Sequence, residues 1–287
     1  MKYALIKDNH DKKLSTTRLF ALLGCSSSAY YGWLKAKPSQ RKLDNEELRE
    51  HIAKVYWKHA GRYGYRRIYH DLLDHYGYTG SRERVRRQMR TLGLKAIIKR
   101  RFKVTTDSRH NMPFAPNLLQ QNFAVEHANQ AWVGDITYIR IGKSQWLYVA
   151  TVIDLYSRKV IGWSMSNRMT ARLVCDALSM ALSNRGNPKG VIMHSDRGSQ
   201  YCSKVYQRML ANNEMRCSMS GKGNCYDNAV AESFFRTLKT EHVYRYRYET
   251  IEDAKQSIYW YIEAYYNRVR RHSSLNYLSP VDFENAA

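Results

Sequence analysis

The feature that most constrains the fold is a change of pattern at Trp132. Upstream, apolar residues recur at helical spacing. Downstream, three runs rich in β-branched and aromatic residues follow one another at hairpin spacing: WVGDITYIRI (132–141), WLYVATVIDLY (146–156) and RKVIGWSMS (158–166), with Gly142 marking the first turn. A helical segment from Thr170 to about Asn184 comes next, then a fourth strand, GVIMHSD (190–196). SQYCSKVYQRMLANN reads as a helix, MRCSMS as a short fifth strand, SGKGNCYDN as a glycine-punctuated loop and AVAESFFRTLKTEHV as a strong helix. Three strands in a meander followed by alternating helices and strands predict a mixed five-stranded sheet with flanking helices.

The upstream part reads as all-α. In STTRLFALLGCSSSAYYGWL (15–34), Ser15, Thr16 and Thr17 offer an N-cap, Leu19, Leu22 and Leu23 give helical spacing, and Gly24 closes the helix. Ser26 to Ser28 cap a second, aromatic helix, which makes the pair a helix-turn-helix candidate, though helical hairpins are common. Leu48, Ile52 and Val55 mark another helix, Ile68, Leu72 and Leu73 the next, and Val85, Met89 and Leu92 a third, capped by Ser81. We read residues 1–44 as a helix-turn-helix segment and 45–103 as a basic helix-turn-helix-like DNA-binding domain. Residues 104–122, with Pro113 and Pro116, read as a linker, and 123–287 as an RNase H-like catalytic domain with a C-terminal helical tail.

Charge supplies the first functional constraint. The 287 residues carry a formal net charge of +22. Residues 1–110 hold 26 Lys and Arg against 10 Asp and Glu, a net of +16; the other 177 hold 21 and 15, a net of +6. Such an excess implies a polyanion, with nucleic acid ahead of a membrane surface. The helix from Arg82 sets Arg84, Arg86, Arg87 and Arg90 beside it against the single Glu83, and these arginines repel one another unless phosphates neutralise them. No run of 18 apolar residues forms a membrane span, and the N-terminal apolar run is too short for a signal peptide. The five cysteines show no zinc-ligand spacing and read as reduced, mostly buried thiols of a cytoplasmic protein.

Three carboxylates carry the candidate chemistry. Asp135 lies inside the first strand, where a charge is costly unless something pairs with it. Asp196 ends the fourth strand, and Glu232 lies on the last strong helix, with thirty-five residues between them. Phosphodiester cleavage needs an activated oxygen nucleophile and a stabilised leaving oxygen, and two Mg²⁺ ions held by carboxylates about 3.5–4 Å apart serve both. Asp135 is best placed to bridge the ions, with Asp196 and Glu232 holding one each. Asn228, Glu232, Arg236 and Lys239 fall on one helix face and combine a ligand with cations for phosphates. Each residue alone has a plainer reading: an aspartate at a strand end is more often a turn cap. Asp154 competes with Asp135 but ranks lower, and His194 reads as structural.

Taken together, LLGCSSSAYYGWL, GYRRIYHDL, WVGDITYI, VIDLYSRKVIGW, HSDRGSQY, GNCYDNAVAESFFRTLK and YNRVRRHSSLNYLSP resemble the second-reading-frame transposases of bacterial insertion sequences. These are DDE recombinases related to retroviral integrases. The likeness covers nearly the whole chain, and the Asp–Asp–35–Glu spacing recurs with a basic residue, Lys239, seven positions on. It implies a catalytic and metal-binding triad of Asp135, Asp196 and Glu232, two Mg²⁺ ions with Mn²⁺ able to substitute, and a DNA-contacting Lys239. We add Asn228, Arg236, Lys222, Arg82, Arg84, Arg86, Arg87 and Arg90 as expected DNA contacts. The pattern departs at Gly221, where relatives often carry Arg. The implied partners are double-stranded DNA (terminal inverted repeats and target), further copies of the chain, and an upstream-frame product carrying a zipper that this sequence lacks. The implied location is the bacterial cytoplasm, at the nucleoid. A non-catalytic DNA-binding regulator and a nuclease that cuts without joining are the competing readings; the first leaves the carboxylate spacing unexplained, the second the basic front end.

Overall fold

The computed structural model describes residues 2–10, 15–97, 114–221 and 225–287. Its N-terminal part is helical: α1 (Lys2–His10), α2 (Thr16–Leu23), α3 (Ser27–Lys35), α4 (Gln40–Lys58), α5 (Tyr65–Tyr76) and α6 (Arg82–Thr91). Gly24 closes α2 with φ 60°, and the Ser26 hydroxyl caps α3 by accepting from the Ala29 amide. The pair is thin: α2 buries no residue fully and Leu22 is 82% exposed. Helix α1 was not expected, because KYALIKDNH has no apolar stripe. It is held by Ile6, fully buried, and by Tyr3, whose ring packs against Tyr30 and Trp33.

Helices α4 to α6 share a core of Leu48, Ile52, Val55, Ile68, Leu72, Val85 and Met89. Leu73 and Leu92, expected on the same stripes, stand partly exposed at its rim. The boundary drawn after residue 44 falls inside α4, whose first two turns hold one apolar residue, the exposed Leu43, and so give no apolar stripe. Ser81 caps α6 as expected, accepting from the Arg84 amide.

The C-terminal part is the expected sheet. Strands β1 (Ala131–Ile141), β2 (Gln145–Asp154) and β3 (Val160–Ser166) form an antiparallel meander; β4 (Ile192–Ser195) and β5 (Arg216–Met219) add in parallel, giving the order β3-β2-β1-β4-β5. Parallel neighbours need crossover connections, which α7 (Ala171–Asn184) and α8 (Lys204–Asn212) supply on one face. Gly162 permits the close approach of α7: a Cβ there would lie 2.2 Å from the Ala177 carbonyl oxygen. The other face is covered by α9 (Ala229–Glu241), α10 (Ile251–Tyr259) and the π-helical turn Trp260–Tyr266 that continues it. A short α11 (Pro280–Asn285) ends the chain.

Two expectations about connections change. Residues 104–113 of the expected linker lie outside the described residues. Residues 114–122 are built into the catalytic part: Leu119 is buried, the Leu118 amide donates to the Ser218 hydroxyl, and the Met219 amide to the Pro116 carbonyl. Prolines end the periodic pattern but do not prevent packing. Nor is the α4–α6 unit a tethered module, because its core runs on into that of α9 and α10. Asp71 accepts from Arg271 at 2.7 Å and from His59 at 3.2 Å, and Glu241 accepts from Nε and Nη2 of Arg270 at 2.7 Å and from Arg67 at 3.3 Å. Burial would raise the Asp71 carboxyl, but the bonds from His59 and Arg271 outweigh it and hold it well below the carboxylate range. Of the cysteines, Cys202 is buried, while Cys25, Cys175 and Cys217 are only half-buried.

Candidate active site

Alternation along β1 sets Asp135 on the face of Val133 and Ile139, which packs toward α9. In the parallel pairing of β1 with β4, Val133 lies opposite His194, so two places further Asp135 comes level with Asp196, just past the end of β4. The two carboxylates are therefore brought together by strand register. Each is oriented by its own backbone: Asp135 accepts from the Ile136 amide at 2.8 Å and Asp196 from the Gly198 amide at 2.9 Å. The third arrives from α9, in whose first turn Glu232 sits exposed.

Electrostatics tie the three together. Burial, and next the charge of Asp196, push the Asp135 carboxyl well above its usual range; Glu232 adds to this, while the Ile136 amide and Lys239 oppose it. Burial and Asp196 also raise Glu232, against the pull of Arg236. Concentrated negative charge of this kind is what a divalent cation relieves, and hard carboxylate oxygens suit Mg²⁺. The donor chemistry thus fits such an ion. Among the described residues, no three acidic, histidine or cysteine side chains stand close enough to form a finished metal cage.

Lys239 is the nearby cation. Its ammonium lies 5.0 Å from the centroid of the Tyr138 ring, and burial lowers its proton affinity against the opposing charge of Asp135. Asn228, expected to touch DNA, is instead buried: its Nδ2 donates to the Gly134 carbonyl at 3.2 Å. Helical periodicity located its face but could not show that β1 covers it. The bond docks the start of α9 one residue from Asp135, so Asn228 positions Glu232. Arg236 is exposed, with a bond to Ser233. Lys222 lies outside the described residues.

On α6, Arg82, Arg86, Arg87 and Arg90 are exposed. Arg84 is not available in the same way, because its Nε donates to Asn45 on α4 at 3.0 Å. Asp154 is fully buried, accepts from the Asn129 and Tyr156 amides and pairs with Arg185. It organises the end of β2 and stands apart from the carboxylate cluster. His194 is buried between the Ser218 and Ser220 hydroxyls, a structural setting as expected.

Sequence reasoning missed Asp227. Buried just before α9, it accepts from Asn117, from Gln121 and from the Gly221 amide, tying the segment before the sheet to the loop before α9. Asn117 and Gln121 lie more than a hundred residues away in the chain, which no local pattern signals.

Comparison with known proteins places this geometry. The integrase core domain family matches residues 125–225 and a second integrase core family 213–280, while an HTH-like domain family matches 42–102. Transposase InsF for insertion sequence IS3A of Escherichia coli K12 is 43% identical over 289 residues, 99% of each chain. An uncharacterized 31 kDa protein of insertion element IS600 from Shigella sonnei is 43% identical over 91% of this chain and 96% of its own. Among solved structures, the HTLV-2 integrase catalytic core domain in complex with magnesium covers 54% of this chain and 96% of its own, at 16% identity and a TM-score of 0.42, too remote to bear on the assignment. With its helix-turn-helix-like front and its integrase core, the chain belongs to the IS3-family transposases, within the DDE polynucleotidyl transferase superfamily.

Proposed function

We propose that the chain cleaves DNA at the terminal inverted repeats of its own insertion sequence and joins the freed 3′ ends to target DNA, with divalent metal bound at Asp135, Asp196 and Glu232. The observation that carries this reading is the mutual repulsion of these carboxylates, with Asp135 on β1 and Asp196 just past the end of neighbouring β4. Asp135, Asp196 and Glu232 would hold two Mg²⁺ ions, Asp135 shared by both and the other two holding one each; Mn²⁺ has the same ligand preference. A divalent metal bound there would activate the oxygen nucleophile and stabilise the departing 3′ oxygen. The chain's own part is to hold the carboxylates in place through strand register, the Asn228 dock and the Gly198 turn, and to bring Lys239 toward the phosphates. The exposed arginines of α6 hold duplex DNA, as further copies of the chain and an upstream-frame partner assemble on it. Among the described residues no helix is long and apolar enough to cross a membrane, and the proposed place of action is the cytoplasm, at the nucleoid.

Asp135→Asn, Asp196→Asn and Glu232→Gln test the triad. Each keeps shape but loses the charge that holds the ion. Joining of a labelled terminal-repeat duplex should vanish in each while duplex binding stays within about threefold of wild type. Near-normal joining by any one variant removes that residue from the triad. Cleavage without joining by the wild-type protein would favour the nuclease reading.

A further inference from the structure

The side of α9 next to its carboxylate-bearing face walls a cavity of about 550 Å³, between the α4–α6 unit and the C-terminal part. None of Asp135, Asp196, Glu232 or Lys239 lines it. Among the described residues, five arginines do, Arg62, Arg67, Arg158, Arg236 and Arg270, against the carboxylate of Glu241. That carboxylate is already taken by Arg270, Arg67 and the Tyr261 hydroxyl. His272 adds no negative charge and, held far below its usual range by burial and Arg270, no positive one either. The described wall therefore holds a surplus of cations, buried or half-buried except for exposed Arg236.

Arg158 shows the surplus most directly. Its Nη1 is buried with no hydrogen-bond partner among the described residues, and its backbone is left-handed at φ 60°. An orphaned guanidinium nitrogen is costly, and an arginine rarely adopts that backbone. The remaining wall is rich in hydroxyls: Ser233, Thr237 and Thr240 follow one stripe of α9, and Ser273 and Ser274 face them. Guanidinium forks with hydroxyl donors are the groups that bind phosphodiesters, and a cavity of this size is in the range that takes a small ligand.

We infer that this cavity is a second nucleic-acid site, which seats the phosphodiester backbone of a DNA strand on the adjoining side of the helix that carries Glu232. The inference rests on the proposed function, but its test needs neither metal nor chemistry. Arg236 stands between the two faces of α9, so one strand can pass from the cavity to the carboxylates without leaving the helix.

The test is fluorescence anisotropy of a labelled duplex and a labelled single strand, in chelator, across a salt series. Ser233 and Ser274 are exposed rim positions. Ser233→Glu/Ser274→Glu should weaken binding at least tenfold and lower the salt slope by about 1–2, since each phosphate no longer neutralised removes about 0.9 on duplex or 0.7 on single strand. Ser233→Lys/Ser274→Lys should tighten it, which keeps the test decisive if the glutamate pair fails to fold. The same charge change on the far face of the sheet, Ser183→Glu/Asn212→Glu, should move affinity less than threefold. Equal effects of the rim and far-face pairs, or none from either rim pair, overturn the site. So does a rim pair that changes only the oligomeric mass, which would assign the cavity to an acidic protein segment. Joining that is lost in Asp135→Asn while the rim variants bind normally would leave the proposed function standing and remove this site alone.

Discussion

The ammonium of Lys239 sits over the ring of Tyr138, 5.0 Å from its centroid, so a cation two helical turns beyond Glu232 is held toward the strand that carries Asp135. An ammonium has donors and no acceptor, so it cannot ligate a metal. The role we propose for it is to meet phosphate beside the carboxylates. Lys239→Ala should lower joining by about tenfold or more and weaken engagement of terminal DNA, leaving the Mg²⁺ dependence little changed. Lys239→Arg should restore much of the loss, because charge at that reach is what binding the phosphate needs. Joining measured against Mg²⁺ concentration checks this; a large rise in the Mg²⁺ requirement with DNA affinity unchanged would contradict it.

The arginines of α6 should divide by environment. Replacing exposed Arg82, Arg87 and Arg90 with Gln should weaken duplex binding and flatten its salt dependence by up to about 0.9 for each phosphate that an arginine no longer neutralises, with stability near wild type. Arg84→Gln should behave differently, because Arg84 joins α6 to Asn45 on α4: it should cost about 1 kcal/mol of stability and change the slope less. Salt titrations and urea melts of the two variants separate these outcomes.

Asp71 and Arg271 link the α4–α6 unit to the C-terminal part through a buried 2.7 Å bond. Removing Arg271 takes away the shortest bond to buried Asp71 and leaves it His59 at 3.2 Å and Lys58 at 3.6 Å. Arg271→Leu should therefore destabilise by about 3–5 kcal/mol, and the transition should broaden or split as the two parts lose their common core. A single unfolding transition at the wild-type urea midpoint would contradict this.

His242 is buried at the same seam, hydrogen-bonded through Nε2 to Ser257, with Nδ1 facing Arg62 at 3.5 Å. Burial first and then Arg62 lower its pKa to about 4. Above the unfolded value near 6.5 the group is neutral in both states. As pH falls toward 5 the unfolded chain takes up a proton that the folded one refuses, so stability is lost through that window. Its share from pH 7 to 5 is roughly 1–2 kcal/mol. Urea unfolding at both pH values should show a shallower decline for His242→Gln than for wild type; equal declines would mean that another group carries the dependence.

Some of this was legible in the sequence because it is local. The strands from Trp132, Ile192 and Arg216 declared themselves by β-branched and aromatic runs, Val85 and Met89 by helical spacing, and Gly24 and Ser81 by the chemistry of caps. The spacing of Asp196 and Glu232 was likewise a property of the chain alone. Other features depended on partners far away in sequence. Asn228 lies on the face that periodicity assigned, but β1 covers it; Arg84 belongs to a basic run, but Asn45 claims it. Asp227, Asp71 and Glu241 find their partners across roughly 30 to 200 residues, and the cavity beside α9 exists only where two remote segments meet. Periodicity reports which way a side chain points from its own element. What stands opposite it, and whether its charge meets water, a counter-ion or an empty cavity, is settled by packing.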